Sequence, residues 1–82
     1  MKMTLCDCSL GDVCKIVRCE SQDSALKDRL MSFGIVKDKI CKVMRYSLGR
    51  LAVAIMIDGT QVALRDSEAR LIVVEPLRHE PN

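Results

Sequence analysis

The sequence predicts a mainly β domain with one short helix, folded as a small, partly open antiparallel β-barrel. Three observations lead to this prediction. The chain has 82 residues, enough for one domain. Its short apolar segments are separated by turn residues and lack the spacing of βαβ units. Only residues 25–33 have a clear helical repeat.

The first main strand is predicted at 12–20, after a turn at 9–12. Residues 1–5 are expected to be a frayed end or an edge strand. Within 12–20 the apolar residues are Val13, Ile16 and Val17, so strict alternation fails between the last two. We therefore expect either a β-bulge there or a strand that is covered on both faces.

The helix is predicted to plug the barrel with one apolar face. Leu26, Leu30 and Phe33 are spaced i, i+4 and i+7 and so share that face. Asp23 or Ser24 is the expected N-cap, because a short side-chain oxygen can accept bonds from the first free amides. Gly34 is expected to end the helix in a left-handed conformation, which glycine adopts without steric cost.

The remaining strands are predicted as a meander followed by one closing strand. Asp58 and Gly59 predict a tight hairpin turn, because a type I′ turn needs positive φ at both central residues. The expected core residues of the first meander strand are Ile40, Val43 and Met44. The predicted elements are strands at 39–46, 51–57 and 60–65, a loop at 47–50, a helical turn at 66–70 and a strand at 71–74. The domain is thus expected to span 1–75, with a flexible tail at 76–82.

Charge and composition exclude several classes of function. The 13 basic and 11 acidic residues give a net charge of only +2, and aromatic residues make up 2%. A nucleic-acid module would more often have a clustered basic face with stacking aromatics, so no nucleic-acid partner is predicted. The longest apolar run, 51–57, is far shorter than the ~20 residues of a membrane-spanning helix. We find no secretory signal and expect a cytoplasmic protein.

No catalytic residue and no bound cofactor are predicted. The only histidine, His79, lies in the predicted tail, far from any cysteine that it could activate. Cys6 and Cys8 are the only candidate ligands for a transition metal such as Fe²⁺ or Zn²⁺, and a structural zinc site normally needs a second pair. The odd number of cysteines, five, favours free reduced thiols. Arg29 could contact a partner, although its five donors more often satisfy loop carbonyls.

Several motifs, taken together, resemble the FeoA family of bacterial ferrous iron uptake. They occur in the family's order over roughly 10–75. They are Leu10-Gly11-Asp12 with Val13 and Ile16, Arg29-Leu30 with Phe33-Gly34-Ile35, Leu48-Gly49, Asp58-Gly59-Thr60 with Ala63-Leu64-Arg65, and Ala69 with Ile72 and Val74. The resemblance implies an SH3-like barrel that is not an enzyme and that assists FeoB, a membrane transporter with a cytosolic GTPase domain.

The expected contact surface consists of Arg29 and the loop residues Ser47, Leu48, Gly49 and Arg50. The loop departs from the family pattern, which usually has Pro-Leu-Gly followed by an acidic residue and proline. Lys37 and Asp38 likewise stand where the family often has Pro-Gly. Contact with the membrane is expected only through the transporter.

Two alternatives stay open. The chain could be a stand-alone metal-binding or metal-responsive module, based on Cys6 and Cys8 or similar to the C-terminal SH3-like domain of iron-dependent repressors. It could also be a barrel that binds proline-rich peptides, although it has few aromatic residues to build such a groove.

Overall fold

The fold is a single five-stranded antiparallel sheet with one short helix, as the sequence predicts. The computed structural model describes residues 2–80. The strands are β1 (Asp12–Cys19), β2 (Ile40–Tyr46), β3 (Ala52–Ile57), β4 (Thr60–Arg65) and β5 (Ile72–His79), in the spatial order β4-β3-β2-β1-β5. The helices are α1 (Ser24–Ser32) and the single turn α2 (Asp66–Ala69), and short 3₁₀ turns lie at Leu5–Asp7 and Leu48–Arg50. Among the described residues, no helix has the length and apolar character needed to cross a bilayer.

Helix α1 begins and ends where its capping residues predict. The Asp23 carboxylate accepts hydrogen bonds from the backbone N–H groups of Ala25 and Leu26, at 3.0 and 3.2 Å. At the other end Gly34 has φ of +88°. The Gly34 N–H donates to the carbonyl of Met31 and the Ile35 N–H to that of Leu30, which together form a Schellman cap.

Phe33 is not a core residue, so this part of the helix prediction is wrong. Leu30 is buried and Leu26 packs against the core, but the Phe33 side chain is 37% exposed. The cause is the cap: Phe33 is the C-cap residue, and the chain turns at Gly34 and brings Ile35 into the core instead. The Phe33 ring lies against the Arg29 guanidinium, 5.6 Å from ring centroid to Cζ.

β-Bulges decide which residues of β1 and β2 face the core. The register of β1 against β5 shifts between Ile16 and Arg18, which confirms the bulge alternative. A second shift lies between Val13 and Cys14, where the extra residue is in β5, and these two adjacent residues of β1 are both buried.

In β2 the core prediction is partly wrong. Ile40 is 50% exposed, and the buried neighbour is Cys41. Val43 is fully buried as predicted, and a register shift between Val43 and Arg45 leaves Met44 only half-buried. Cys41 and Val43 therefore face the core, whereas Ile40, one residue before Cys41, faces away from it.

The β3–β4 hairpin agrees with its turn signal. Asp58 and Gly59 have φ of +51° and +76°, the positive values that a type I′ turn requires. In β4 the buried positions alternate, at Val62 and Leu64, as expected for a strand with one covered face. In β3 three consecutive residues, Val53, Ala54 and Ile55, are buried together with Ile57, so both faces of this strand are partly covered.

Both ends of the described chain are part of the fold. Thr4 forms an isolated β-bridge with Val73, and Leu5 is completely buried. The predicted flexible tail is wrong for 76–79, because β5 continues to His79 and pairs with β1 over that whole length. Pro76 is tolerated because β5 is an edge strand. Met1, Pro81 and Asn82 lie outside the described residues.

Candidate partner-binding surface

The 47–51 loop presents two leucine side chains to solvent. Leu48 is 98% exposed and Leu51 is 74% exposed. Leu51 was predicted to start a strand, but it precedes β3 and belongs to this loop. Isolated exposed leucines are common in proteins, whereas two in one short loop form a small apolar surface that a partner can cover.

The backbone of this loop is held by local hydrogen bonds. The Ser47 side-chain oxygen accepts a bond from the N–H of Ala52 at 2.9 Å, and the Arg50 N–H donates to the Ser47 carbonyl at 2.8 Å. Gly49 and Arg50 both have positive φ, of +75° and +58°. Glycine reaches that region freely, but arginine does so at a cost that its other contacts must offset.

Arg50 is held in place by an aromatic ring and by the N-terminal turn. Its Cζ lies 3.9 Å from the centroid of the Tyr46 ring, a cation–π contact. Its Nη2 donates to the carbonyl oxygen of Cys8 at 3.3 Å. The Tyr46 hydroxyl lies 2.5 Å from the same oxygen, and burial raises its pKa, so it stays a neutral donor. The loop therefore rests on the segment that precedes β1.

The Arg29 side chain contacts Phe33 and Glu68, which both lie outside the 47–51 loop. Its guanidinium forms an ion pair with the carboxylate of Glu68, a buried residue of α2. The other Glu68 oxygen accepts a hydrogen bond from the Arg65 N–H at 2.9 Å. The expectation that Arg29 donates to loop carbonyls is thus wrong. Its acceptor is the Glu68 carboxylate, and the ion pair joins α1 to α2.

The thiols of Cys6 and Cys8 have different neighbours. Both residues lie in or next to a 3₁₀ turn, not in an extended segment that would point them to one side. The Cys6 Sγ lies 3.1 Å from the Asp66 Oδ1, and burial, followed by this hydrogen bond, raises the pKa of Cys6 to about 11. Cys8 is buried with its Sγ 3.5 Å from that of Cys14, and this contact together with burial raises the pKa of Cys8. Within residues 2–80 no three Cys, His, Asp or Glu side chains come together as a metal site would require.

Sequence reasoning missed three features of this surface. Leu51 was assigned to a strand because it continues an apolar run, and the Tyr46–Arg50 contact has only the i, i+4 spacing as a signal. Glu68 was unremarkable in the sequence because a carboxylate in a polar helical turn is usually exposed.

Comparison with known proteins gives consistent matches. The FeoA domain family model matches residues 3–76. A Helicobacter pylori protein (strain ATCC 700392 / 26695) with the provisional name Fe(2+) transport protein A is 37% identical over 73 residues, which cover 89% of this chain and 96% of that protein.

Two solved structures have the same fold. The solution structure of the Chlorobium tepidum FeoA protein superposes with a TM-score of 0.86 at 26% identity, over 93% of this chain and 71% of the other. A crystal structure of Stenotrophomonas maltophilia FeoA complexed with zinc, described as a prokaryotic SH3 domain protein, gives a TM-score of 0.78 at 26% identity, over 89% of each chain. The sheet described above is therefore SH3-like.

Proposed function

The chain belongs to the FeoA family, and on this premise we propose that its 47–51 loop docks on the cytosolic GTPase part of a FeoB-type ferrous iron transporter. Proteins of this family are non-enzymatic accessory proteins of ferrous iron transport. The chain would act in the cytoplasm and reach the membrane only through the transporter. Its binding would change GTP hydrolysis or iron transport by the larger protein.

The observation that carries this proposal is the exposure of Leu48 in a loop whose backbone is held by hydrogen bonds. Burying a leucine side chain against a partner contributes about 1.5–3 kcal/mol. Because the loop backbone is already ordered by Ser47 and Arg50, little conformational entropy is lost on binding. Leu51 extends the same apolar surface.

The test is a binding titration of the full chain with the isolated cytosolic domain of the cognate transporter. Leu48→Asp should weaken binding by at least about tenfold, because it places a charge where an apolar side chain is buried. Leu10→Asp is the matched control, since Leu10 is an exposed leucine outside the loop. Iron uptake by a deletion strain that carries each variant should follow the same order.

Two outcomes would contradict the proposal. Equal affinity of the wild type and Leu48→Asp would show that the loop is not the contact. The absence of any binding, together with normal iron uptake in the deletion strain, would remove the accessory role itself.

A further inference from the structure

A groove between α1 and β1 has an apolar lining and a volume of about 290 Å³. Its apolar residues are Val17, Cys19, Leu30, Met31, Ile35 and Val36. Leu30 and Ile35 are buried and form the floor, whereas Met31 is 58% exposed at the rim. Methionine is a flexible side chain that adapts to different apolar groups, so a partly exposed one is suited to a binding surface.

The groove follows a strand edge that has no neighbour. β1 pairs with β2 at Val13–Lys15, and the Ile16 backbone bonds to Asp38 and Lys39 just before β2, whereas its pairing with β5 continues to Cys19. Over the described residues, the segment 17–19 therefore has a strand on one side only. Val17, Arg18 and Cys19 all line the groove, because the bulge between Ile16 and Arg18 interrupts the alternation of side chains here. Such an edge can accept an extended peptide as an additional strand.

The rim of the groove is positively charged. Arg18, Lys27 and Lys37 line it, and its lining contains no acidic residue. Arg18 is paired with Glu20 at 3.0 Å. Within residues 2–80, neither Lys27 nor Lys37 has a carboxylate within ion-pair distance. Two unpaired cations beside an apolar floor complement a segment that carries both apolar and acidic side chains.

We propose that this groove binds an extended segment of a partner protein in which apolar and acidic residues alternate. The segment pairs with the free edge of β1 at 17–19, places its apolar side chains against the accessible Val17, Met31 and Val36, and directs its carboxylates to Lys27 and Lys37. The groove shares no residue with the 47–51 loop, so this interaction is separate from the docking contact proposed above and does not depend on it.

The experiment is an NMR titration of the isotope-labelled full chain with a capped synthetic peptide of alternating glutamate and valine. Amide shifts should change at 17–19, 27–31 and 35–37 and leave 47–51 unaffected. The double variant Lys27→Glu/Lys37→Glu should weaken binding roughly tenfold, and added salt should weaken it as well. Arg45→Glu is the matched control, because it reverses one exposed cation outside the groove and should bind like the wild type.

Three results would overturn the inference. A peptide of alternating lysine and valine that binds equally well would show that charge plays no part. Shifts that fall outside the groove, or their absence at millimolar peptide, would show that the groove does not accept a strand. Shifts in the groove that appear with rising protein concentration alone would identify a second copy of this chain as its occupant.

Discussion

The conformation of Gly34 determines where α1 stops and which side chains reach the core. Its φ of +88° is rare for residues with a Cβ. A Cβ added there would lie 3.7 Å from the Asp58 Oδ2, an ordinary contact distance. The cost of a substitution at Gly34 must therefore come from the backbone and not from a clash.

Gly34→Val is expected to destabilise the fold by about 1–3 kcal/mol, because a β-branched residue is strained at positive φ. Gly34→Asn is the matched control and should cost less, since asparagine tolerates the left-handed region. Urea unfolding of both variants checks this. Equal stability of the valine variant and the wild type would mean that the cap is not needed in the form described.

The contacts of Asp12 predict how pH changes the stability of the protein. The Ser9 N–H, at 2.8 Å, and then His79, whose Nδ1 lies 2.8 Å from the carboxylate, hold the pKa of Asp12 below its usual value. The native state therefore binds the Asp12 proton more weakly than the unfolded chain. The resulting stability is complete above the unfolded pKa of about 4 and is lost as the pH falls through the lower, folded value.

Asp12→Asn should accordingly flatten the fall of the free energy of unfolding between about pH 5 and pH 3. The measurement is the urea midpoint of each protein across that range. A slope as steep as that of the wild type would show that the Asp12 contacts do not couple proton binding to folding.

At the scale of elements, the helix and the hairpin could be predicted because their signals are local. Asp23, Gly34 and the Asp58-Gly59 pair each require a particular backbone conformation, and each occupies it in the structure. The bulge at Ile16–Arg18 was also predictable, since it breaks the apolar alternation. Local sequence was therefore enough wherever a residue's own conformational preference decides the outcome.

The errors arose where the partner of a segment decides the outcome. Ile40 has the larger apolar side chain and was therefore expected in the core, but the pairing of β2 with β1 and β3 places Cys41 there. Residues 76–79 look like a tail because they are polar and contain proline, and only the neighbouring β1 makes them a strand. At the candidate surface, Leu48 was placed by its family motif, whereas the support that Arg50 receives from Tyr46 and Cys8 depends on tertiary packing.

The positions of the cysteines on their elements predict an order of thiol reactivity. Cys14 in β1 and Cys41 in β2 are opposite each other in the core, and Cys8 is buried beside them. Burial raises the pKa of Cys41 to about 12. Cys19, at the end of β1, is half-exposed. Because the thiolate is the reactive form, maleimide at about pH 7 should label Cys19 first, and the three buried thiols only as fast as the protein opens.

Mass spectrometry of samples taken over time would locate the label, and the same reaction in urea is the control in which all five thiols should react. Rapid labelling of Cys41 in the native protein would show that the β1–β2 face of the core opens far more easily than its burial indicates.

At the scale of the whole molecule, both ends of the described chain are joined to the β1–β5 side of the sheet. On one side Thr4 is bridged to Val73 in β5, and Leu5 is buried. On the other side the His79 ring contacts Asp12, and the Glu80 N–H donates to the Gly11 carbonyl at 2.7 Å. The sheet is therefore expected to unfold as one unit that includes 76–80.

Removal of residues 76–82 tests whether this segment belongs to the cooperative unit, because its composition alone would suggest that it is dispensable. The truncation deletes the pairing of Pro76, Arg78 and His79 with β1, and each lost backbone hydrogen bond costs about 0.5–1.5 kcal/mol. We expect a loss of about 2–4 kcal/mol in the free energy of unfolding. The matched control is the full chain with Leu77→Ala and Arg78→Ala, which keeps the strand and removes only exposed side chains, so it should lose less than about 1 kcal/mol. If the truncated chain is as stable as this control, the last part of β5 contributes nothing to stability, and the cooperative unit ends at Glu75.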